Sequence, residues 1–308
     1  MSKLNVAVIG ANGFIGRHLA ELLSTDPNIS LSLFGRSSHS SFKNYHRIDL
    51  NDKHFISEHF KNIDYVFYLA SETIPATSWD NPLFEIEKNL VPFINFLDCI
   101  SKIGVKKVGF LSSAGTIYGE SNSAMDEASN KHPFSPYGIT KLSMENFLNY
   151  FHHHNGLSYD VFRVSNVYGE GQNTAKGLGL INTLMENIIK EKRITIFGDG
   201  GNIRNYIYVK DVAGILAQML KLDPKETHIL NIASNDTLSI NDIIDILKKE
   251  LKEEFTVDKK EVRGSDNKAI KISNEKLKKK FPQFVFTPIN EGIKLTYAHI
   301  KAHTHSNK

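Results

Sequence analysis

The stretch Gly10-Ala11-Asn12-Gly13-Phe14-Ile15-Gly16 constrains this chain more than any other. It follows the apolar run Leu4-Asn5-Val6-Ala7-Val8-Ile9 and opens an amphipathic stretch from Phe14 to Leu23. A strand, a tight glycine turn and a helix in that order make a phosphate site out of a glycine spacing. Gly10 permits the sharp turn, Gly13 lets backbone approach a pyrophosphate, and Gly16 lets the helix pack close to the strand. The helix N-terminus adds free N–H groups and a partial positive charge. Asn12, Phe14 and Ile15 complete the candidate contacts of this turn. The spacing is G-x-x-G-x-x-G, which alone would fit a plain turn; the flanking strand and helix signals favour a dinucleotide.

The rhythm that follows agrees. Strand candidates at Leu4–Ile9, Leu31–Phe34, Tyr65–Ala70, Val108–Ser112 and Tyr159–Val164 alternate with helical patterns at Phe14–Leu23, Lys53–Phe60, Pro82–Ile103 and Tyr137–His153. Such alternation predicts an α/β fold with a doubly wound parallel sheet of Rossmann type. Residues 1–165 form the expected dinucleotide-binding domain, its sheet completed by later segments. Residues 166–302 form a smaller, interleaved α/β substrate-binding lobe, and 303–308 a disordered tail. Within the lobe, Gly169–Gly179 reads as a loop. Leu180–Lys190 and Val209–Leu220 read as helices, Ile194–Phe197 and Ile229–Ile232 as strands, and Ser239 as the cap of a helix Ile240–Leu251.

Composition excludes some classes. The 308 residues are 41% hydrophobic and 23% charged, a globular balance, and the net charge of +3 gives no argument for nucleic acid. The run Lys276 to Lys280 reads as the solvated side of a short helix. No signal peptide precedes the first strand and no apolar run approaches ~18 residues, so the chain reads as cytoplasmic, with no membrane partner. The one cysteine, Cys99, lies in an apolar helical pattern and reads as a buried, inert thiol. The histidines at 152–154 and in the tail lack a surrounding framework of ligands, so no metal is expected.

A NAD-binding strand usually ends on an acid, about 20 residues beyond the glycines, that holds the ribose hydroxyls. Here the second strand ends Leu33-Phe34-Gly35-Arg36-Ser37-Ser38. Gly35 stands where the acid is expected and Arg36 follows. A guanidinium grips a 2′-phosphate bidentately, so NADP(H) is favoured, with NAD(H) bound through backbone as the alternative. Asp49 is either an adenine contact or the cap of the next turn.

Chemistry is expected at Ser135-Pro136-Tyr137-Gly138-Ile139-Thr140-Lys141. Tyr137 and Lys141 are four apart and share one helix face. A phenol has a pKa near ~10, too high for a base at neutral pH, and a nearby ammonium lowers it. Tyr137 then exchanges a proton with a sugar hydroxyl while hydride moves to or from a nicotinamide.

With these motifs in place the chain resembles the extended short-chain dehydrogenase/reductases that modify nucleotide sugars. The resemblance spans nearly the whole chain. It rests on the glycine turn, Leu69-Ala70-Ser71, Asn89, Ser112-Ser113-Ala114-Gly115-Thr116-Ile117-Tyr118-Gly119 and Tyr137-x-x-x-Lys141. Arg163-Val164-Ser165-Asn166-Val167-Tyr168-Gly169, Gly198-Asp199-Gly200 and the run from Arg204 to Val212 extend it. It implies Tyr137 as acid/base, Lys141 as its electrostatic partner and ribose contact, and Leu69 and Ala70 beside the dinucleotide. The family hydroxyl that meets the sugar C4 oxygen is missing, because Ala114 stands four residues before Tyr118. Ser113 or Thr116 must supply it, with Ser113 preferred. Asn166, Arg204 and Arg263 are implied contacts of the diphosphate of a nucleotide sugar and Asp266 of its ribose, while Phe197 is either an edge of the base pocket or a core aromatic. The resemblance also implies a homodimer through the helices Pro82–Ile103 and Tyr137–His153.

The sequence leans towards an NADP(H)-dependent reductase of a nucleotide 4-keto-6-deoxyhexose, such as a dTDP-4-dehydro-6-deoxyglucose reductase of surface-polysaccharide synthesis. The alternative is a UDP-glucose or UDP-N-acetylglucosamine 4-epimerase with tightly held NAD. A non-enzymatic dinucleotide sensor is disfavoured by the intact Tyr137 and Lys141. A 4,6-dehydratase is disfavoured because Ala114-Gly115-Thr116 carries no carboxylate.

Overall fold

From Val6 onward β1 (Leu4–Ile9) is buried on both faces, as a central parallel strand must be. The computed structural model describes residues 3–119, 121, 123–175, 177–261 and 269–305. β1 leads through the glycine turn into α1 (Phe14–Ser24), then β2 (Ile29–Gly35), β3 (Tyr45–Arg47), α2 (Lys53–Phe60) and β4 (Tyr65–Tyr68). The long helical pattern after β4 divides into α3 (Pro82–Glu85), a π turn at Ile86–Leu90 and α4 (Val91–Ile100). Pro92 has no N–H to donate, and its ring would crowd the carbonyl of Lys88 in a regular helix; the widened turn ahead of it relieves that clash. β5 (Lys107–Ser113), the short α5 (Ala114–Ile117), α6 (Pro136–Asn155) and β6 (Ser158–Val164) complete the first two-thirds.

Beyond these run β7 (Asn166–Tyr168), α7 (Leu180–Glu191), β8 (Arg193–Phe197), β9 (Ile203–Tyr208), α8 (Val209–Met219) and β10 (His228–Ile232). They are followed by β11 (Thr237–Ser239), α9 (Ile240–Leu251), β12 (Thr256–Lys260), α10 (Glu275–Lys280) and α11 (Ile289–His305). Ser239 caps α9 as predicted, in a reciprocal box: the Asp242 amide donates to its hydroxyl (3.1 Å) and its own amide donates to the Asp242 carboxylate (2.8 Å). Of the tail, residues 303–305 continue α11, where Thr304 donates its hydroxyl to the Ile300 carbonyl at 2.9 Å, and 306–308 lie outside the described residues.

The main sheet has seven strands in the order β3-β2-β1-β4-β5-β6-β10, with every pairing from β3 to β6 parallel. The chain winds outward from β1 in one direction and, from β4, in the other. The strand order therefore reverses between β1 and β4, where a doubly wound sheet opens its crevice. One core layer packs Phe34, Phe60, Phe93, Phe96, Phe110 and Leu148 against this sheet. Cys99 is buried in it, its sulfur 3.3 Å from the Ser57 hydroxyl.

The chain divides into two units. One comprises Met1–Gly119, Lys131–Val164 and Val212–Leu230. The other comprises Glu120–Asn130, Ser165–Asp211 and Asn231–Lys308. The second holds a three-stranded sheet, β11-β9-β7, and the parallel pair β12-β8. No helix among the described residues is long and apolar enough to cross a membrane.

Candidate active site

At the switch point the glycine turn makes a cradle of bare backbone. Gly10 has φ +90°, and a methyl there would stand 2.9 Å from the Ala70 amide nitrogen. A methyl at Gly16 would overlap the carbonyl oxygen of Gly10. The first turn of α1 carries no acid, and Gly13 caps it without a side-chain bond, so its N–H groups stay available to an anion. Gly10, Asn12, Gly13, Leu69 and Ala70 line a cavity of about 680 Å³. These groups fit the pyrophosphate of a dinucleotide. Phe14, Ile15 and Gly16 lie behind this lining, in the helix that presents it. Gly16→Ala is expected to destabilise the fold by about 1–3 kcal/mol, read from urea unfolding, because the methyl meets backbone that cannot yield.

Asp49 also lines the cavity, and its carboxylate accepts the Asn51 amide at 2.9 Å, so it is both rim and turn cap. Arg36 lines the same cavity, and its guanidinium pairs with the carboxylate of Glu72, from the segment after β4. Local sequence could not reveal a partner 36 residues away.

The catalytic spacing is held on α6. Ser135 caps it by accepting the Gly138 amide at 3.1 Å, Pro136 opens it and Gly156 closes it in the left-handed conformation. The hydroxyl of Ser71, which donates to the Thr73 carbonyl at 3.1 Å and lines the dinucleotide cavity, faces the Tyr137 phenol and favours its ionised form. Lys141 is buried, donates to the Leu111 carbonyl at 3.0 Å and lies 5.5 Å from the centre of the Tyr137 ring. Burial pushes the Lys141 ammonium down to about 8, opposed by the carboxylates of Glu85 and Glu145. Burial raises the Tyr137 phenol well above its usual value, and Glu85 raises it further. A neighbouring cationic ring would act in the opposite sense on the phenol.

Two buried carboxylates thus flank the pair. Glu145 is held by Arg163 at 2.7 Å and by the Ser112 hydroxyl at 2.5 Å. Glu85 accepts Asn89 Nδ2 at 3.1 Å through one oxygen, and its other oxygen is buried without a hydrogen bond. Asn89 also accepts the Glu72 amide at 2.9 Å and donates to Thr73 at 3.0 Å, tying the segment after β4 to the π turn. Glu85 was missed in the sequence because an acid in a helical run looks like solvated surface.

Of the two candidate hydroxyls, Ser113 ends β5 and precedes α5 without capping it. Thr116 lies in α5 with its hydroxyl oxygen buried and unbonded. Its carbonyl abuts Gly138, next to Tyr137, so closely that a methyl at 138 would stand 2.5 Å from it.

In the second unit, Asn166 donates to the Asn205 carbonyl at 3.0 Å and Arg204 to the Ile203 carbonyl at 2.8 Å. Phe197, at the end of β8, is 44% exposed, more than a core aromatic allows. Arg263 and Asp266 lie outside the described residues.

The family model of NAD-dependent epimerases and dehydratases matches residues 6–233. The chain belongs to the NAD-dependent epimerase/dehydratase family. A member that bears the name of a UDP-glucose 4-epimerase, from Methanocaldococcus jannaschii, is 31% identical over 253 residues, 80% of this chain and 82% of that one. A dTDP-4-dehydro-6-deoxyglucose reductase of Escherichia coli is 28% identical, covering 85% of this chain and 84% of its own. The solved UDP-glucose 4-epimerase of Thermotoga maritima, crystallised with UDP-glucose, superposes with a TM-score of 0.90 at 28% identity, covering 98% of this chain and all of that one. This member of the epimerase/dehydratase family is a nucleotide-sugar-modifying enzyme.

Proposed function

We propose that the chain is an NAD-dependent 4-epimerase of a UDP-hexose, UDP-glucose or UDP-N-acetylglucosamine. The observation that carries this reading is the Tyr137–Lys141 pair on one face of α6, facing Ser71 on the wall of the dinucleotide cavity. The relatives that bear an epimerase name support it. So does the pairing of Arg36 with Glu72, which weakens the sequence argument for NADP(H) and with it the main ground for a reductase.

When bound, NAD supplies reversible two-electron oxidation at the sugar's C4. Tyr137 takes the proton of the C4 hydroxyl and returns it in the second half-reaction, so no net proton is exchanged. Lys141 holds its charge beside the phenolate and stabilises it. Thr116 supplies the hydroxyl that Ala114 lacks: its hydroxyl is buried without a hydrogen-bond partner, and its carbonyl abuts Gly138, the neighbour of Tyr137. Asn166 and Arg204 hold the diphosphate, and Phe197 edges the base. Two copies pair through α4 and α6, which leave Val91, Ile139 and Tyr150 exposed.

The test offers purified protein UDP-glucose or UDP-N-acetylglucosamine without added cofactor and follows the C4 epimer by NMR. Stoichiometric consumption of NADPH with a nucleotide 4-keto-6-deoxyhexose, and no epimer, overturns the reading. Thr116→Val is expected to lower kcat by ~10²-fold with KM little changed, as loss of a hydrogen bond made to the reacting oxygen does. Ser113→Ala serves as its comparison and stays within about threefold in the same assay.

A further inference from the structure

The acid that normally sets cofactor choice in this fold is absent from the end of β2, where Gly35 stands. At Gly35 a Cβ would lie 2.5 Å from the hydroxyl of Tyr45. Tyr45 belongs to β3, donates to the Ser37 carbonyl at 3.1 Å and lines the dinucleotide cavity. A side chain at 35 would have to displace the Tyr45 hydroxyl from this place. A carboxylate is nevertheless present. Glu72 enters from the neighbouring strand's segment and binds Arg36 on the rim of the same cavity. Its position is fixed from behind, because its amide donates to the buried Asn89 at 2.9 Å.

We infer that Glu72 makes this crevice select NAD(H) over NADP(H), by holding Arg36 and setting a carboxylate beside the guanidinium that a 2′-phosphate would need. The inference rests on the NAD-dependent reading above and names the residue responsible. Two effects act in one direction. A dianionic phosphate must displace a carboxylate already paired with Arg36, and the displaced carboxylate then repels it. NAD, with a neutral 2′-hydroxyl, meets neither obstacle. Arg47 and Lys88 also line the cavity, so the cationic surroundings alone would favour the extra phosphate. Glu72 offsets that preference.

The test is a binding titration that needs no sugar. The full-length protein, freed of any co-purified dinucleotide, is titrated with NADH and with NADPH, followed by their fluorescence. The wild type is expected to hold NADH at least about tenfold more tightly than NADPH. Glu72→Gln keeps the side chain's shape and removes its charge. It is expected to tighten NADPH by about tenfold and to leave NADH within about threefold. Adding Arg36→Ala to Glu72→Gln is expected to abolish that gain. Equal affinity of the wild type for both dinucleotides overturns the inference. So does a Glu72→Gln change that affects both alike, or a gain that survives the loss of Arg36. An absent epimerase activity leaves these titrations readable, and a failed discrimination leaves the epimerase assay standing.

Discussion

Tyr137→Phe is expected to lower turnover by about 10³-fold while leaving dinucleotide affinity within about threefold, because only the proton-transferring oxygen is removed. The ring keeps its place on α6, held by Pro136 and the Ser135 cap, and loses only the oxygen that faces Ser71. Turnover is measured with saturating UDP-sugar, and affinity by fluorescence titration. A fall in turnover accompanied by an equal rise in KM would point to lost binding and would remove Tyr137 from the acid/base role. Full activity in the variant would leave the proposed mechanism without its base.

The second large effect is a dependence on pH through Lys141. Its ammonium is held down to about 8 by burial, so kcat/KM in the free enzyme is expected to fall roughly tenfold per pH unit above that value. The sign follows from the charge: the protonated form stabilises the phenolate, and deprotonation withdraws that help. Lys141→Met is expected to lose about 10²–10³-fold at pH 7 and to lack the alkaline fall. Glu85 supplies an independent check. Its carboxylate holds the Lys141 proton on, so Glu85→Gln is expected to move the alkaline limb down by about one pH unit. An altered fold would lower the whole profile without displacing that limb. The same shift affects stability. The folded-state pKa lies below the ordinary lysine value of 10.5, so the folded protein binds fewer protons than the unfolded chain between pH 8 and 10.5. Lys141 therefore contributes a stability that rises with pH across that window.

What the sequence revealed and what it hid divide by range. The β1–glycine–α1 unit and the Ser239 cap are written in neighbouring residues, so periodicity and capping chemistry exposed them. β3 escaped because it is three residues long and partly exposed, and only its register against Leu33–Gly35 makes it a strand. The pairing of Arg36 with Glu72 escaped for a related reason. Strands β1, β2 and β4 lie side by side in the sheet, so residues distant in the chain meet on one rim. The charge that pairs with Arg36 lies in the segment after β4, out of reach of any local reading. Ser113 and Thr116 sit in one short serine- and threonine-bearing run, so local sequence gives no ground to separate them; the proposal of Thr116 draws on the packing of α5 on Gly138 and on its unbonded hydroxyl.

The π turn at Ile86–Leu90 carries a consequence for how this chain tolerates changes of length. A π turn holds one residue more than the α turn it replaces, without disturbing the phase of the helix on either side. Deleting Lys88 would close the widened turn, with Phe93, Phe96 and Leu97 still facing the core but with the Pro92 ring again crowded against the carbonyl four residues before it. Asn89 would then turn away from Thr73, Glu85 and the Glu72 amide. One surplus residue thus separates a helix that merely packs from one that also carries the amide tying Glu72 to Glu85. At this point a change in length is a functional mutation that the hydrophobic core would not register.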